Sequence, residues 1–141
     1  MAEKSTKTLG SVLAWKGNSL TEKAEFMEWL HYISYFFGGA FLGNAIPHFV
    51  SGVMGRPFQS PFAKPPGQGL SSSTVNVLWG VFNFAVSYIL VCRVGEFALR
   101  STTHVTLMGL GFLLMGLVGA RQFGRLHGGD SPQDPNAGSG L

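Results

Sequence analysis

Three long stretches of the chain contain no Asp, Glu, Lys or Arg. They cover residues 29–55, 65–92 and 101–120. About 20 mainly apolar residues are enough for a helix to cross a bilayer. A strand or loop at that depth would leave backbone N–H and C=O groups facing lipid, which costs several kcal/mol for each group. Each stretch is therefore predicted to form a transmembrane helix.

The sequence thus predicts an all-α fold, an integral membrane bundle of three transmembrane helices. We place the spans at about 27–54, 73–93 and 103–123. The first span contains Pro47, which lacks an N–H and whose ring clashes with the carbonyl of Gly43 one turn earlier. The first helix is therefore predicted to be kinked near Pro47.

The rest of the chain divides around these spans. Residues 1–26 form a polar N-terminal segment, and residues 27–123 form the transmembrane domain. Residues 124–141 are rich in glycine and also contain Asp and Pro. Because such a composition buries too little apolar surface to fold, this segment is predicted to be a disordered C-terminal tail.

Charge and cysteine content exclude several classes of protein. Charged residues make up 12% of the chain, whereas a soluble domain carries roughly 25%. The net charge is +3, so we expect neither a soluble enzyme, nor a basic nucleic-acid-binding protein, nor an acidic disordered protein. Because of this modest charge, nucleic acid is not an expected partner.

The single cysteine, Cys92, allows no intrachain disulfide and no CxxC metal site.

The distribution of Lys and Arg indicates which end of the bundle faces the cytoplasm. Three spans place the two termini on opposite sides, and basic residues near the spans are more frequent on the cytoplasmic side. Six of the ten lie on the side of the N-terminus. The other side carries four, namely Arg56, Lys64, Arg121 and Arg125. The N-terminus is therefore predicted to be cytoplasmic.

Small residues spaced four apart indicate where helices pack. Gly39 and Gly43 form a GxxxG step in the first span, and Gly116 and Ala120 have the same spacing in the third. Helices in lipid associate through such close backbone contacts, because lipid tails are as apolar as leucine. Gly80 in the second span completes the predicted packing residues. The partner helix belongs either to the same chain or to another copy.

Polar side chains share one face of the second span. Asn76, Gly80, Asn83 and Ser87 are spaced by four, three and four residues, which places them on one side of a helix. A carboxamide that faces lipid is costly, so this face is predicted to point into the bundle. Two interpretations are open: these side chains join helices by hydrogen bonds, or they line a polar pocket.

The first span carries a matching pair, Asn44 and His48. A histidine inside a span is a functional candidate, as a metal or haem ligand, a proton relay or a contact for a lipid headgroup. The alternative is a neutral imidazole that satisfies the carbonyl freed by Pro47. No HxxxH, HExxH or CxxC pattern occurs, and no adjacent base activates Cys92 or a serine. We therefore predict no metal site and no catalytic residues, and assign no cofactor.

The connection between the first two spans, residues 55–72, carries two Pro-Phe pairs, at 57–58 and 61–62. Its prolines and glycines prevent a long helix. We expect both rings in the membrane interface or over the mouth of the bundle, where the connection forms a lid above the polar residues of the first span. The alternative is an ordered loop with only a structural role. Arg56 is expected to meet lipid phosphates.

The chain as a whole resembles the small multi-pass proteins of bacterial membranes, while the segments Gly43–Phe49 and Gly55–Phe58 attach it to no named family. The resemblance implies a bacterial inner (plasma) membrane and carries over no functional residues. We expect a non-enzymatic membrane protein that acts as a membrane-complex subunit or a homo-oligomer. Its expected partners are membrane lipids, other membrane subunits or a second copy, and we expect it to bind a lipid-like molecule.

The alternative is a membrane-embedded enzyme or carrier for an apolar small molecule. Its intramembrane pocket would use the candidate ligand-binding residues Asn44, His48, Asn76 and Asn83, with Arg56 on an anionic headgroup. Three helices enclose little volume, so this alternative requires oligomerisation.

Overall fold

The structure is a computed structural model that describes residues 2–129. Long helices make up most of it, and two short antiparallel strands lie in the connection after the first helix. The helices are α1 (Ala2–Val53), α2 (Ser73–Tyr88), the π-helix π1 (Ile89–Val94) that continues α2, and α3 (Thr102–His127). The strands are β1 (Phe58–Gln59) and β2 (Leu70–Ser71). The prediction of a mostly helical fold is confirmed.

Two of the predicted spans correspond to helices that are long and apolar enough to cross a membrane. They are Ser73–Val94 and Thr102–His127, whose limits lie within a few residues of the prediction. Capping explains where they begin: the Ser72 hydroxyl accepts a hydrogen bond from the N–H of Val75, and the Ser101 hydroxyl accepts one from the N–H of His104. Gly128, with φ 73°, ends α3.

The first helix differs from its prediction. It begins at Ala2 and not near 27, because the polar segment holds good helix formers such as Ala, Lys and Glu and no proline. Apolar residues have helical spacing only at Leu9, Val12 and Leu13, which are too few to predict a helix of this length. The structure shows neither a third span nor a kink: Pro47 lies inside a helix that is continuous to Val53.

The end of the chain also differs in part from its prediction. The helix α3 continues to His127, so the first residues of the predicted tail, 124–127, are helical. The remainder of that tail, residues 130–141, lies outside the described residues, as does Met1. The predicted disorder of residues 130–141 therefore stays a prediction.

The helix α1 packs along both α2 and α3, which make almost no contact with each other. Glycines allow these close approaches. A Cβ added to Gly39 would overlap the carbonyl oxygen of Met108 in α3, and one added to Gly80 would lie 2.8 Å from the backbone N of Phe49 in α1. A Cβ on Gly43 would lie 3.0 Å from the carbonyl oxygen of Phe112. Three of the predicted packing residues therefore lie at helix contacts within the chain.

The other two predicted packing residues lie elsewhere on α3. A Cβ on Gly116 would have no neighbour within 4 Å among the described residues, and Ala120 is exposed. Both border an open groove beside Pro47. They contribute no tight helix contact within this part of the chain.

Aromatic side chains close the end of the bundle opposite the strands. Tyr35 is 1% exposed, and its ring lies 5.2 Å from that of Phe97 and 4.6 Å from that of His104. The Nδ1 of His104 accepts a hydrogen bond from the N–H of Ala98 at 3.1 Å. The turn between π1 and α3 is thereby fixed against α1.

Candidate functional site

Four polar residues that the sequence predicts as ligand-binding come together between α1 and α2. The Nδ2 of Asn44 donates to Oδ1 of Asn83 at 3.0 Å, and Nδ1 of His48 lies 2.9 Å from Oδ1 of Asn76. Both asparagines of α2 are fully buried, and His48 is 3% exposed. The matching polar faces of the two helices therefore pair side chain to side chain, and Ser87 adds a third link by donating to the carbonyl oxygen of Gly38 at 2.8 Å.

The amide of Asn76 also holds the connection onto the bundle. Its Nδ2 lies 3.0–3.1 Å from three backbone carbonyl oxygens, those of Phe58, Ser71 and Ser72. Because a carbonyl only accepts, these partners fix which amide atom is the nitrogen. Oδ1 therefore faces His48, whose Nδ1 must carry the proton. In the neutral imidazole, Nε2 is left as an unprotonated acceptor.

The same reasoning orients the amide of Asn44. The Nδ2 of Asn83 donates to the carbonyl oxygen of Trp79 at 2.7 Å, so its Oδ1 faces Asn44. Asn44 must then donate through Nδ2. Its own Oδ1 receives no hydrogen bond from a described residue, and this atom is a second acceptor without a protein donor.

A cavity of about 440 Å³ lies beneath the connection 55–72. We call it the polar cavity, and its polar lining comprises Asn44, His48, Gln59, Ser60, Trp79 and Gln122. A second cavity of about 360 Å³, the apolar cavity, is lined chiefly by Phe36, Phe37, Ala40, Phe41 and Leu114. The two adjoin, because Asn44, Trp79, Met115 and Val118 line both. We call the two neighbouring cavities together the cleft; polar side chains lie at one end of it, and the other end is almost wholly apolar.

Gln59 is a site residue that the sequence analysis missed. It is 4% exposed, lines the polar cavity, and its Nε2 lies 3.0 Å from Nε2 of His127. Among the side chains that the structure describes, those of residue 15 and of residues 20–129, its Oε1 is the one buried N or O atom without a hydrogen-bond partner. A two-residue strand has no periodicity to reveal which side chain points inward, so the sequence holds no signal for this residue.

The two Pro-Phe pairs take different positions. The ring of Phe58 lies 5.4 Å from that of His48 and 4.6 Å from that of Phe123, so it covers the mouth of the bundle. Phe62 is 64% exposed and meets the edge of Trp79 at 5.1 Å. Arg56 is exposed and does not line the cleft, so the structure does not bring it together with the other candidate residues.

Neither a metal-binding group nor a similar known protein indicates a function for this chain. Among the described side chains, at residue 15 and residues 20–129, no group of three or more His, Cys, Asp or Glu is placed to hold a metal ion. No protein-family model, curated protein or solved structure matches the chain.

Proposed function

We propose that this protein is a non-enzymatic integral membrane protein that binds a lipid-like molecule in the cleft beneath the connection 55–72. The observation that carries the proposal is that the polar and apolar cavities lie side by side and share the lining residues Asn44, Trp79, Met115 and Val118. A molecule with a polar head and an apolar tail matches both ends at once. Ligand sites of this kind are mainly apolar, with a few placed polar groups that fix orientation.

The exposed surface supports membrane insertion of all three helices. Large apolar side chains are exposed along α1 as they are along α2 and α3, and in water such continuous apolar surface would promote aggregation. On α1 they are Ile33, Phe37, Ile46, Val50 and Val53. Since α1 packs along both other helices, a bilayer that contains α2 and α3 also contains the charge-free part of α1. We propose that α1 is the third span and that it bends near Pro47 in the bilayer.

The internal pairing of the polar residues favours binding over catalysis. Asn76 and Asn83 are fully buried and use their amides to join α2 to α1 and to the connection. They hold the cleft together and are not free to act on a substrate. The enzyme or carrier alternative would have to rest on Asn44 and His48, which retain unpaired acceptor atoms.

Assembly with a second copy or another membrane subunit is part of the proposal. Gly116 and Ala120 on α3 have the small-residue spacing of a helix contact but no close partner within the described chain. We propose that this face meets a helix of another subunit. The molar mass of the purified protein, measured by light scattering, checks this assignment.

Filling the cleft tests the binding function. Val118 lines both cavities, so Val118→Trp is expected to abolish binding of lipid-like molecules, because the indole occupies the volume that joins the two ends. The measurement is the amount of lipid-like molecule that co-purifies from mild detergent, quantified by mass spectrometry.

Leu117→Trp is the matched control. Leu117 is 55% exposed, lies on the same helix and lines neither cavity of the cleft. We expect the control to retain the co-purifying molecule at the level of the unmodified protein. Equal retention by both variants would refute the cleft as the binding site.

Reporter fusions test the topology. With three spans and a cytoplasmic N-terminus, we expect a fluorescent reporter to be active at the N-terminus and alkaline phosphatase to be active at the C-terminus. The connection 55–72 would then lie on the extracytoplasmic side. Termini that report from the same side would contradict three spans, and a reversed pattern would contradict only the orientation.

A further inference from the structure

We infer that the cleft selects a molecule whose polar head is an uncharged hydroxyl group, which donates a hydrogen bond to the unpaired acceptors of the polar cavity. The inference rests on the proposed binding function and narrows it to a ligand class: alcohols and phenols with an apolar tail, as opposed to fatty acids, phosphates or ethers. It follows from which polar atoms of the lining remain unpaired.

The polar cavity offers acceptors. The Nε2 of His48 is an acceptor because Nδ1 bears the proton toward Asn76. Oδ1 of Asn44 is also left without a donor. Gln59 is more than nine-tenths buried, and with its Nε2 donating to Nε2 of His127, its Oε1 has no partner. A buried acceptor without a donor is destabilising, so a ligand that donates to Oε1 gains affinity from a cost already present in the protein.

The same lining also holds donors. Pro61 and Pro66 have no N–H, and the N–H of Gly67 already donates to the carbonyl oxygen of Ser60 at 2.9 Å. The Nε1–H of Trp79, in contrast, makes no hydrogen bond within the described residues. The amide nitrogens of Asn44 and Gln122 each keep a second N–H beyond their single hydrogen bonds to Asn83 and to the carbonyl oxygen of Gly67. A lining with unpaired acceptors and unpaired donors matches a hydroxyl, which donates and accepts, better than an ether, which only accepts.

Charge excludes the ionised head groups. The lining of the polar cavity contains no Asp, Glu, Lys or Arg. A carboxylate or phosphate would find no counter-charge and would add lone pairs to a site already rich in them. An ammonium group would likewise be buried without an anion, and burying an unpaired charge is far costlier than burying a hydroxyl.

A matched set of probes tests the inference on the unmodified full-length protein in lipid nanodiscs. The label is 1-dodecanol with a diazirine in its tail, and the labelled peptides are located by mass spectrometry. The competitors are 1-dodecanol, dodecyl methyl ether and dodecanoate, with concentrations expressed per lipid. We expect labelling at the cleft residues Phe41 and Met115, and about tenfold weaker competition by the ether, since the lost hydrogen bond leaves acceptors unpaired.

One variant pair adds an independent check. Gln59→Met removes the orphaned acceptor at similar side-chain size, and Gln68→Met changes an exposed residue of the same connection. We expect the preference for the alcohol over the ether to fall severalfold in the first variant and to be unchanged in the second. The probe comparison on the unmodified chain needs neither variant to fold.

The outcomes separate the two claims. Labelling in the cleft with equal competition by alcohol and ether, or with strongest competition by dodecanoate, would overturn the hydroxyl inference and leave the binding function standing. No labelling in the cleft by any probe would overturn both. An unchanged alcohol preference in folded Gln59→Met would remove Gln59 from the site.

Discussion

Asn76→Leu is expected to release the connection 55–72 from the bundle and to cause a large loss of stability. The substitution removes Nδ2 of Asn76, which donates to three backbone carbonyl oxygens, and Oδ1 of Asn76, which accepts from Nδ1 of His48. Leucine is close to asparagine in size, so the effect comes from polar groups left unpaired in a fully buried place. At about 1–3 kcal/mol for each buried unsatisfied group, we expect a loss of roughly 3 kcal/mol or more.

Two measurements check this result. SDS-induced unfolding followed by circular dichroism gives the loss of stability, and limited proteolysis reports release of the connection. Asn76→Asp keeps the shape of the side chain but turns carboxylate oxygens toward carbonyl oxygens, so we expect it to be destabilised too. If Asp were tolerated as well as Asn, the hydrogen bonds of Nδ2 would not be what holds the connection. Gln68→Leu, in the exposed part of the connection, is the control for added apolar surface.

Gly39→Ala is expected to be one of the two most damaging single-methyl changes in the bundle. The new Cβ would overlap the carbonyl oxygen of Met108 in α3, and this neighbour is backbone, which cannot rotate away. Either α1 and α3 separate along their length or the backbone distorts, and such overpacking costs roughly 1–3 kcal/mol or more. Gly111→Ala, which meets the carbonyl oxygen of Phe36 from the other side, is expected to behave alike.

The control uses the same substitution on α3. A Cβ on Gly109 meets nothing within 4 Å among the described residues, so Gly109→Ala is expected to raise stability by up to about 1 kcal/mol through helix propensity alone. We therefore predict that Gly39→Ala lowers the free energy of unfolding in SDS and that Gly109→Ala raises it. Equal effects would show that α1 and α3 do not pack as closely as described.

The sequence predicts much of the architecture, because charge marks where apolar segments end. The apolar spans Ser73–Val94 and Thr102–His127 begin within one residue of the predicted positions 73 and 103, and the former ends one residue after the predicted 93. The latter ends four residues after the predicted 123, because Arg121 and Arg125 do not stop a helix. The N-terminal part of α1 was not predicted, because Leu9, Val12 and Leu13 have helical spacing over too few residues to indicate a helix of this length.

The candidate site was also predicted in part, as far as helical periodicity indicates it. Periodicity places Asn76 and Asn83 on one face of α2, and Asn44 and His48 one turn apart on α1. Their pairing depends on how the two helices align, which periodicity does not specify. The burial of Gln59 could not be predicted from the sequence, since it depends on Asn76, which holds β1, and on His127 at the far end of α3. Arg56 is next to the same strand in the chain, yet its side chain is exposed.

The separation of α2 from α3 has a consequence for how a molecule reaches the cleft. Since these helices flank α1 without packing together, the apolar cavity opens sideways, where Phe37, Leu114 and Val118 are exposed. In the bilayer insertion that we propose, this opening faces acyl chains, so a lipid-like ligand would enter by two-dimensional diffusion within the membrane and would need no movement of the connection. Its occupancy would then follow its mole fraction among the lipids, whatever its solubility in water.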